Sequence, residues 1–305
     1  MKYQLNEELR YLEKLKMPAN IKLLPAMNML IRNFKCKSDE NVNVKEYKIP
    51  GYEDGEISIS VVEPKNVVNL LPCLVFFHGG GFMLKASFAH YELAKEYATK
   101  LTCKVICVDY RLAPEYPFPT PVEDCYETYK WVLNNVNELK IDSNKIMIVG
   151  DSAGGNLAAA VSLMARDRGI QIPSSAMLIY PVTDRKMSSE SMKKYSDSPV
   201  WDAKLSKMMW KAYLGKQHYE HIEYASLVEA DSFKMFPPTY IEVAEFDCLH
   251  DEGVLLYERL EQEGIEAELY EVKGACHGFE TLVESNVTRG CMERRIKWLQ
   301  ELINR

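Results

Sequence analysis

The stretch from Lys145 to Asn156, KIMIVGDSAGGN, constrains the fold more than any other part of the chain. Its first five residues have the apolar-rich pattern of a buried strand, a glycine-bounded turn follows, and a helix of small residues then begins. A serine on such a sharp turn, here Ser152 within G-x-S-x-G, is typical of a nucleophile elbow. The helix N-terminus beside it favours negative charge, which suits an oxyanion. Taken alone, the pattern also fits an ordinary strand–turn–helix crossover.

A second glycine-rich turn follows the apolar run 70–77, in the sequence His78-Gly79-Gly80-Gly81-Phe82. Consecutive glycines let backbone N–H groups face outward and let a substrate approach closely. In an acyl-transfer enzyme such a loop supplies the other half of the oxyanion hole. A flexible hairpin is the alternative interpretation. A phosphate-binding loop would require Gly-Lys-Ser/Thr, which does not follow here.

Strand and helix patterns alternate over 70–180 and again after residue 238, which predicts a mostly parallel sheet covered by helices on both faces. The predicted strands are 44–49, 56–63, 70–77, 105–110, 145–149, 176–180, 238–246 and 267–272. The predicted helices are 88–100, 122–136, 153–168, 251–263 and 287–303. Turns 78–82, 110–119 and 150–155 each follow a strand, so we expect them to meet at the carboxyl edge of the sheet.

Two segments interrupt this alternation. Residues 1–43 are predicted to be helical, with Leu5, Leu9, Leu12 and Leu15 on one face. Residues 184–230 are predicted to form an inserted helical region that covers the site, the alternative being helices packed into the body. We therefore expect a helical cap made of 1–43 and 184–230, and a catalytic domain made of 44–183 and 231–305.

Composition excludes some classes of partner. A formal net charge of −7 argues against nucleic acid. The eight cysteines are scattered and form no C-x-x-C pair, which indicates reduced, mostly buried thiols of a cytoplasmic protein. The N-terminus has no uninterrupted apolar signal-peptide core, and its most apolar segment, 21–31, is interrupted and too short to span a bilayer. The mixed polar face of the first helix does not favour membrane binding. We expect no stable membrane insertion.

A serine hydroxyl needs a base, and the base needs an acid that holds its tautomer. Ser152, Asp247 and His277 follow the chain order of an α/β-hydrolase triad, Ser, then Asp or Glu, then His. Asp247 directly follows a predicted strand, and His277 lies in a glycine-flanked loop after the last strand. Asp251 and Glu252 are the alternative acids, although at the start of a helix they also suit its dipole.

Five motifs together resemble those of the hormone-sensitive-lipase-like family of α/β-hydrolase esterases. The resemblance extends from about residue 78 to residue 279, with one departure, Cys248 where proline is usual. The segments that carry it are HGGGF at 78–82, DYRLAPE at 109–115, GDSAGG at 150–155, DCLHDEG at 247–253 and HGF at 277–279.

The resemblance implies an oxyanion hole made by the N–H groups of Gly80, Gly81 and Ala153. It also implies a serine carboxylesterase acting on short- to medium-chain acyl esters, with no metal or cofactor and with dimerisation as in many members. We further expect the substrate to contact three bulky side chains, those of Phe82, Met209 and Tyr213.

Three other functions remain open at this point. An amidase, deacetylase or acyltransferase would use the same triad, and a long-chain lipase would too, although the first helix gives it no special support. The resemblance also extends to plant hormone receptors that bind a small ligand on the same scaffold. Those receptors lack the histidine that this chain has at position 277.

Overall fold

A single eight-stranded sheet organises the part of the chain that the computed structural model describes, residues 2–31, 33–215 and 219–305. The strands are β1 (Val42–Pro50), β2 (Glu56–Pro64), β3 (Leu71–Phe77), β4 (Lys104–Asp109), β5 (Ile141–Asp151), β6 (Ala176–Ile179), β7 (Thr239–Ala244) and β8 (Ala267–Val272). Their order is β1-β2-β4-β3-β5-β6-β7-β8. Strand β2 runs antiparallel to β1 and β4, and the remaining neighbours are parallel. The predicted α/β class is confirmed.

Strand β3, LPCLVFF, is apolar along its whole length because both faces of the sheet are covered. In β3, Val75 and Phe77 pack into the core on one face, while Leu74 and Phe76 pack into the core on the other. Strands β4, β3 and β5 are adjacent and parallel. The turns that follow them therefore meet at one edge of the sheet, as the sequence predicts.

Helices cover both faces of this sheet. One face carries α2 and α9, and the other carries α3, α5 and α8. The helices are α1 (Leu24–Ile31), α2 (Phe88–Lys100), α3 (Thr120–Asn134), α4 (Val136–Leu139), α5 (Ala153–Asp167), α6 (Glu190–Lys194), α7 (Ala203–Leu214), α8 (His250–Gln262) and α9 (Asn286–Ile303). None of those described is long and apolar enough to cross a bilayer. The eight cysteines all lie in described segments, and each is a buried free thiol.

The N-terminal segment differs from the predicted helix. Residues Glu7–Lys14 form a 3₁₀-helix, and a proline at position 18 separates it from a second 3₁₀ turn, Ile21–Leu23, that leads into α1. A spacing of three residues suits the three-residue turn of a 3₁₀-helix. Leu9 and Leu12 have that spacing and are fully buried, as expected for the apolar face.

The predicted insertion holds α6, α7 and two 3₁₀ turns, Ile222–Tyr224 and Leu227–Glu229. It contacts the N-terminal segment through a bridge between Lys16 and Val200, in which the Val200 N–H donates to the Leu15 carbonyl at 3.0 Å. Both predicted parts of the cap therefore touch each other. Their role as a cap stays a prediction.

Candidate active site

The turn between β5 and α5 is held in a conformation that only small neighbours allow. Ser152 has φ 55° and ψ −118°, and its N–H donates to the Ile179 carbonyl at 2.8 Å. A Cβ on Gly150 would lie 2.2 Å from the Gly154 oxygen, and a Cβ on Gly154 would lie 2.0 Å from the Phe77 oxygen. Glycine at both positions is thus a steric requirement, and it lets the Ser152 side chain project from the turn.

Three predicted side chains meet at this turn. His277 Nε2 lies 2.8 Å from Ser152 Oγ, and His277 Nδ1 lies 2.7 Å from Asp247 Oδ2. The other carboxylate oxygen of Asp247 accepts a hydrogen bond from the Leu249 N–H at 2.9 Å. All three side chains are buried. This chain of hydrogen bonds allows the Ser152 proton to pass to Nε2 while the carboxylate fixes the proton on Nδ1.

The two alternative acids are used elsewhere. Asp251 accepts a hydrogen bond from the Ser191 N–H at 2.7 Å, which anchors α6. Glu252 accepts from the N–H groups of Thr183 and Asp184 at 2.8 and 3.0 Å. The structure therefore brings Asp247, and neither neighbour, to the imidazole.

Two opposing effects set the pKa of His277. Burial lowers it, because desolvation penalises the imidazolium, and the Asp247 carboxylate raises it through its charge and its hydrogen bond. The carboxylate prevails, so the pKa lies above the ordinary value of 6.5. The imidazolium that forms when His277 accepts a proton is thereby stabilised.

The glycine loop after β3 lies against the elbow. Gly80 and Gly81 have φ values of 109° and 63°, a region that favours glycine. A Cβ on Gly81 would lie 2.4 Å from the Trp201 ring, so the inserted region packs directly on this loop. Gly80 lines the cavity at Ser152, and Ala153 is the first residue of α5.

Asp151, a polar residue that sequence reasoning missed, holds this loop to the elbow. Asp151 accepts a hydrogen bond from the Gly79 N–H at 3.0 Å, and its other oxygen lies 3.2 Å from His90 Nε2. His78 Nδ1 donates to the Gly79 carbonyl at 2.7 Å, with the His78 ring stacked on Tyr110 at 4.4 Å. The position of Asp151 beside the serine was the only sequence signal for this role.

A cavity of about 160 Å³ opens beside Ser152. Trp201, Tyr180 and His277 contribute to its wall, with Arg295 among the lining residues from α9. The predicted contact residues lie elsewhere. Phe82, Met209 and Tyr213 are fully buried and do not belong to the described lining, and the rings of Phe82 and Tyr213 stack on each other at 3.7 Å.

These features define a class of protein. The sheet is mostly parallel with one antiparallel strand, and a serine lies on the turn after β5. An acid follows β7 and a histidine follows β8, the last strand. This is the arrangement of the α/β hydrolases.

Comparison with known proteins supports that class. The sequence profile of a family described as having the alpha/beta hydrolase fold matches residues 74–281. The carboxylesterase NlhH of Mycobacterium tuberculosis is 33% identical over 239 residues, which cover 77% of this chain and 75% of the relative. The arylesterase of Saccharolobus solfataricus is 34% identical over 229 residues, 74% of each chain. A bacterial heroin esterase superposes with a TM-score of 0.90 at 31% identity, covering 98% of both chains.

The chain therefore belongs to the α/β-hydrolase family. The predictions of the fold, of the family and of an ester-hydrolysing enzyme are confirmed.

Proposed function

We propose that this protein is a serine carboxylesterase with Ser152 as nucleophile, His277 as base and Asp247 as the acid that orients it. The observation that carries the proposal is the unbroken hydrogen-bond chain from Ser152 Oγ through both ring nitrogens of His277 to Asp247 Oδ2, with distances of 2.8 and 2.7 Å. This chain opens into a cavity that is accessible to a small ester.

In the first step, Ser152 Oγ attacks the ester carbonyl carbon while His277 Nε2 takes the hydroxyl proton. The carbonyl oxygen becomes an oxyanion, which we assign to the N–H groups of Gly80, Gly81 and Ala153. Each such donor typically contributes about 2.7–4 kcal/mol to transition-state stabilisation. The tetrahedral intermediate then collapses, the bond to the alcohol oxygen breaks, and His277 gives its proton to the leaving alcohol.

In the second step, His277 Nε2 takes a proton from water, and the resulting hydroxide attacks the acyl-enzyme carbonyl. Collapse of this intermediate breaks the bond to Ser152 Oγ, which recovers its proton from the imidazolium and releases the acid. Asp247 stays ionised throughout and stabilises the imidazolium in both steps.

The size of the cavity supports short- to medium-chain acyl esters as substrates. Its volume of about 160 Å³ is close to that of a protein cavity that holds one benzene molecule, roughly 150 Å³. The names of two relatives, a carboxylesterase and an arylesterase, are consistent with ester substrates. The eight buried free thiols favour a reducing compartment, and we propose the cytoplasm.

The test is hydrolysis of p-nitrophenyl acetate and its longer-chain homologues by the wild type and by Ser152→Ala. We expect turnover by the wild type and a loss on the order of 10⁶-fold in the variant. Ser162→Ala is the matched control, since this buried serine of α5 donates to the Ala158 carbonyl of its own helix. Absence of hydrolysis by the folded wild type, or retained activity in Ser152→Ala, would contradict the proposal.

A further inference from the structure

The cavity at Ser152 has a polar wall that the hydrolysis of a simple ester does not require. Tyr97 of α2 and Arg295 of α9 both line it, although they are only 2% and 1% exposed. Glu280, from the 3₁₀ turn after His277, lines it as well. Tyr97 and Arg295 thus come from the two helices that cover one face of the sheet.

Most polar atoms of this cluster have strong partners. Arg295 donates to both carboxylate oxygens of Glu242 and, through Nη2, to Glu280 Oε1 at 2.5 Å. The Tyr180 hydroxyl donates to Glu280 Oε2. The Tyr180 ring also lies 4.5 Å from the His277 ring, centroid to centroid, so the cluster adjoins the proposed base.

Two donors of the cluster are satisfied only weakly. The Tyr97 hydroxyl faces Met177 Sδ at 3.8 Å, and Arg295 Nη1 faces Met292 Sδ at 3.8 Å. A thioether sulfur is a weak acceptor, whereas buried donors normally have an oxygen partner. Both residues line the cavity, so a ligand oxygen placed between them would give each donor an oxygen acceptor in place of a sulfur.

The charges of the cluster determine which kind of oxygen fits. One guanidinium already faces two buried carboxylates, those of Glu242 and Glu280. A substrate carboxylate would add a further negative charge to a buried site, which is costly. Burial also raises the pKa of Tyr97, although the Arg295 cation acts against it, so the hydroxyl keeps its proton and donates. A neutral oxygen adds no negative charge to the buried site and can accept a hydrogen bond from the Tyr97 hydroxyl.

We propose that the substituent of the ester that fills this cavity carries a neutral acceptor oxygen, such as a ketone, ether or hydroxyl, bound by Tyr97 and Arg295. The inference rests on the proposed esterase function and names its substrate class. The cavity volume of about 160 Å³ limits the substituent to roughly the size of a six-carbon ring.

The test compares matched pairs of esters. For the acyl side, the pair is p-nitrophenyl 5-oxohexanoate and p-nitrophenyl hexanoate; for the alcohol side, it is 5-oxohexyl acetate and hexyl acetate. We expect kcat/KM to favour the oxo compound about tenfold or more in one pair, because the Tyr97 hydroxyl supplies a neutral hydrogen bond and the Arg295 guanidinium a charge-assisted one. The pair that shows the preference identifies which side of the ester enters the cavity.

The variant Tyr97→Phe removes the hydroxyl donor and keeps the ring. We expect it to lower that ratio about threefold to tenfold, the loss of one neutral hydrogen bond, while Arg295 still donates to the oxo group. Tyr129→Phe is the matched control: this hydroxyl donates to the Gln171 carbonyl at 3.0 Å and lies outside the cavity lining, so the ratio should stay at the wild-type value. Arg295 is left in place because its loss would strand two buried carboxylates.

Equal kcat/KM within both pairs, with activity that Ser152→Ala abolishes, would overturn this inference and leave the esterase proposal intact. A preference that is undiminished in Tyr97→Phe would also overturn it. If the folded wild type hydrolyses none of the four esters, the proposed function itself is wrong and the inference falls with it.

Discussion

At the scale of single residues, the glycines of the elbow are fixed by close packing. The Cβ of an alanine at position 154 would lie 2.0 Å from the Phe77 oxygen, so the backbone on one side of the contact must move. Gly290 in α9 is the opposite case, because it is exposed and a Cβ there has no neighbour within 4 Å. The same substitution therefore has opposite expected effects at the two positions.

We predict that Gly154→Ala lowers the free energy of unfolding by about 1–3 kcal/mol or more, as overpacking does, and abolishes most activity by shifting Ser152. Gly290→Ala should raise the free energy of unfolding by about 1 kcal/mol, since alanine is the better helix former, with activity unchanged. Chemical unfolding and p-nitrophenyl acetate hydrolysis measure both. An active, stable Gly154→Ala enzyme would show that the elbow relaxes without loss of function.

The proposed base predicts a pH profile. His277 works only when neutral, and its pKa lies above 6.5, so kcat/KM should fall as the pH drops through that raised value. In Asp247→Asn the carboxylate that raises the pKa is gone while burial, which lowers it, remains. We expect kcat/KM to fall on the order of 10⁴-fold and the acid limb to move to lower pH. A loss below about tenfold with an unmoved limb would point to Asp251 or Glu252 as the acid.

Sequence patterns predict the reacting residues of this site better than they predict the residues that pack around it. Ser152 and His277 are found from local motifs, because a steric turn and a glycine-flanked loop leave a signature in neighbouring positions. Phe82 and Tyr213 were predicted to contact substrate, yet each ring packs against the other in the core. Bulk alone does not reveal which way a side chain faces, and the pairing of two residues 131 positions apart leaves no local trace.

At the scale of elements, α8 is attached to the loop after β6 by one buried carboxyl group. Glu252 accepts hydrogen bonds from two backbone N–H groups of that loop, while its Oε1 has no partner within the described residues. Burial raises its pKa to about 8, in spite of the two N–H donors. The group is therefore protonated in the folded protein at neutral pH.

This shift links stability to pH. In the unfolded chain Glu252 loses its proton near pH 4.5, and in the folded protein it keeps the proton up to about pH 8, so unfolding releases a proton between these values. Its contribution to stability falls as the pH rises through that window, by at most about 1.4 kcal/mol per pH unit.

Glu252→Gln mimics the protonated form and does not titrate. We predict that its stability relative to the wild type increases steadily from about pH 5 to about pH 8, as measured by urea unfolding. Glu258→Gln, which removes an exposed charge from the same helix, is the control. A stability difference that does not change with pH would exclude Glu252 as the titrating group.

Element boundaries were predictable where the pattern is strong and locally capped. The bounds of α2 and β8 agree with the sequence prediction at both ends. The 3₁₀ conformation of the N-terminal segment was not predictable, since its leucine spacing fits both an α-helix and a 3₁₀-helix. Packing against the body rather than local propensity then decides the outcome.

At the scale of the whole molecule, three distant parts of the chain converge above the nucleophile. The N-terminal segment pairs with the insertion at Val200, whose Cγ1 is 3.3 Å from the place of a Cβ on Gly278. The next residue, Trp201, packs on Gly81, lines the cavity and lies 6.0 Å from the His277 ring. No sequence pattern connects these positions, so this part of the site emerges only from the fold.

The convergence predicts that Trp201 limits the length of substrate that the cavity accepts. Trp201→Ala should raise kcat/KM for p-nitrophenyl octanoate relative to the acetate by about tenfold or more, because the space left by the indole admits additional methylenes. Trp131→Ala, which removes an indole of α3 packed on Tyr47, is the matched control for lost packing and should leave the chain-length profile unchanged. Circular dichroism checks that both variants fold, since losing a buried tryptophan such as Trp201 costs about 3–5 kcal/mol, whereas Trp131 is half-buried. If the folded Trp201→Ala enzyme keeps the wild-type profile, the insertion does not bound the substrate, and chain length is set by the wall that Tyr97 and Arg295 form on the sheet side.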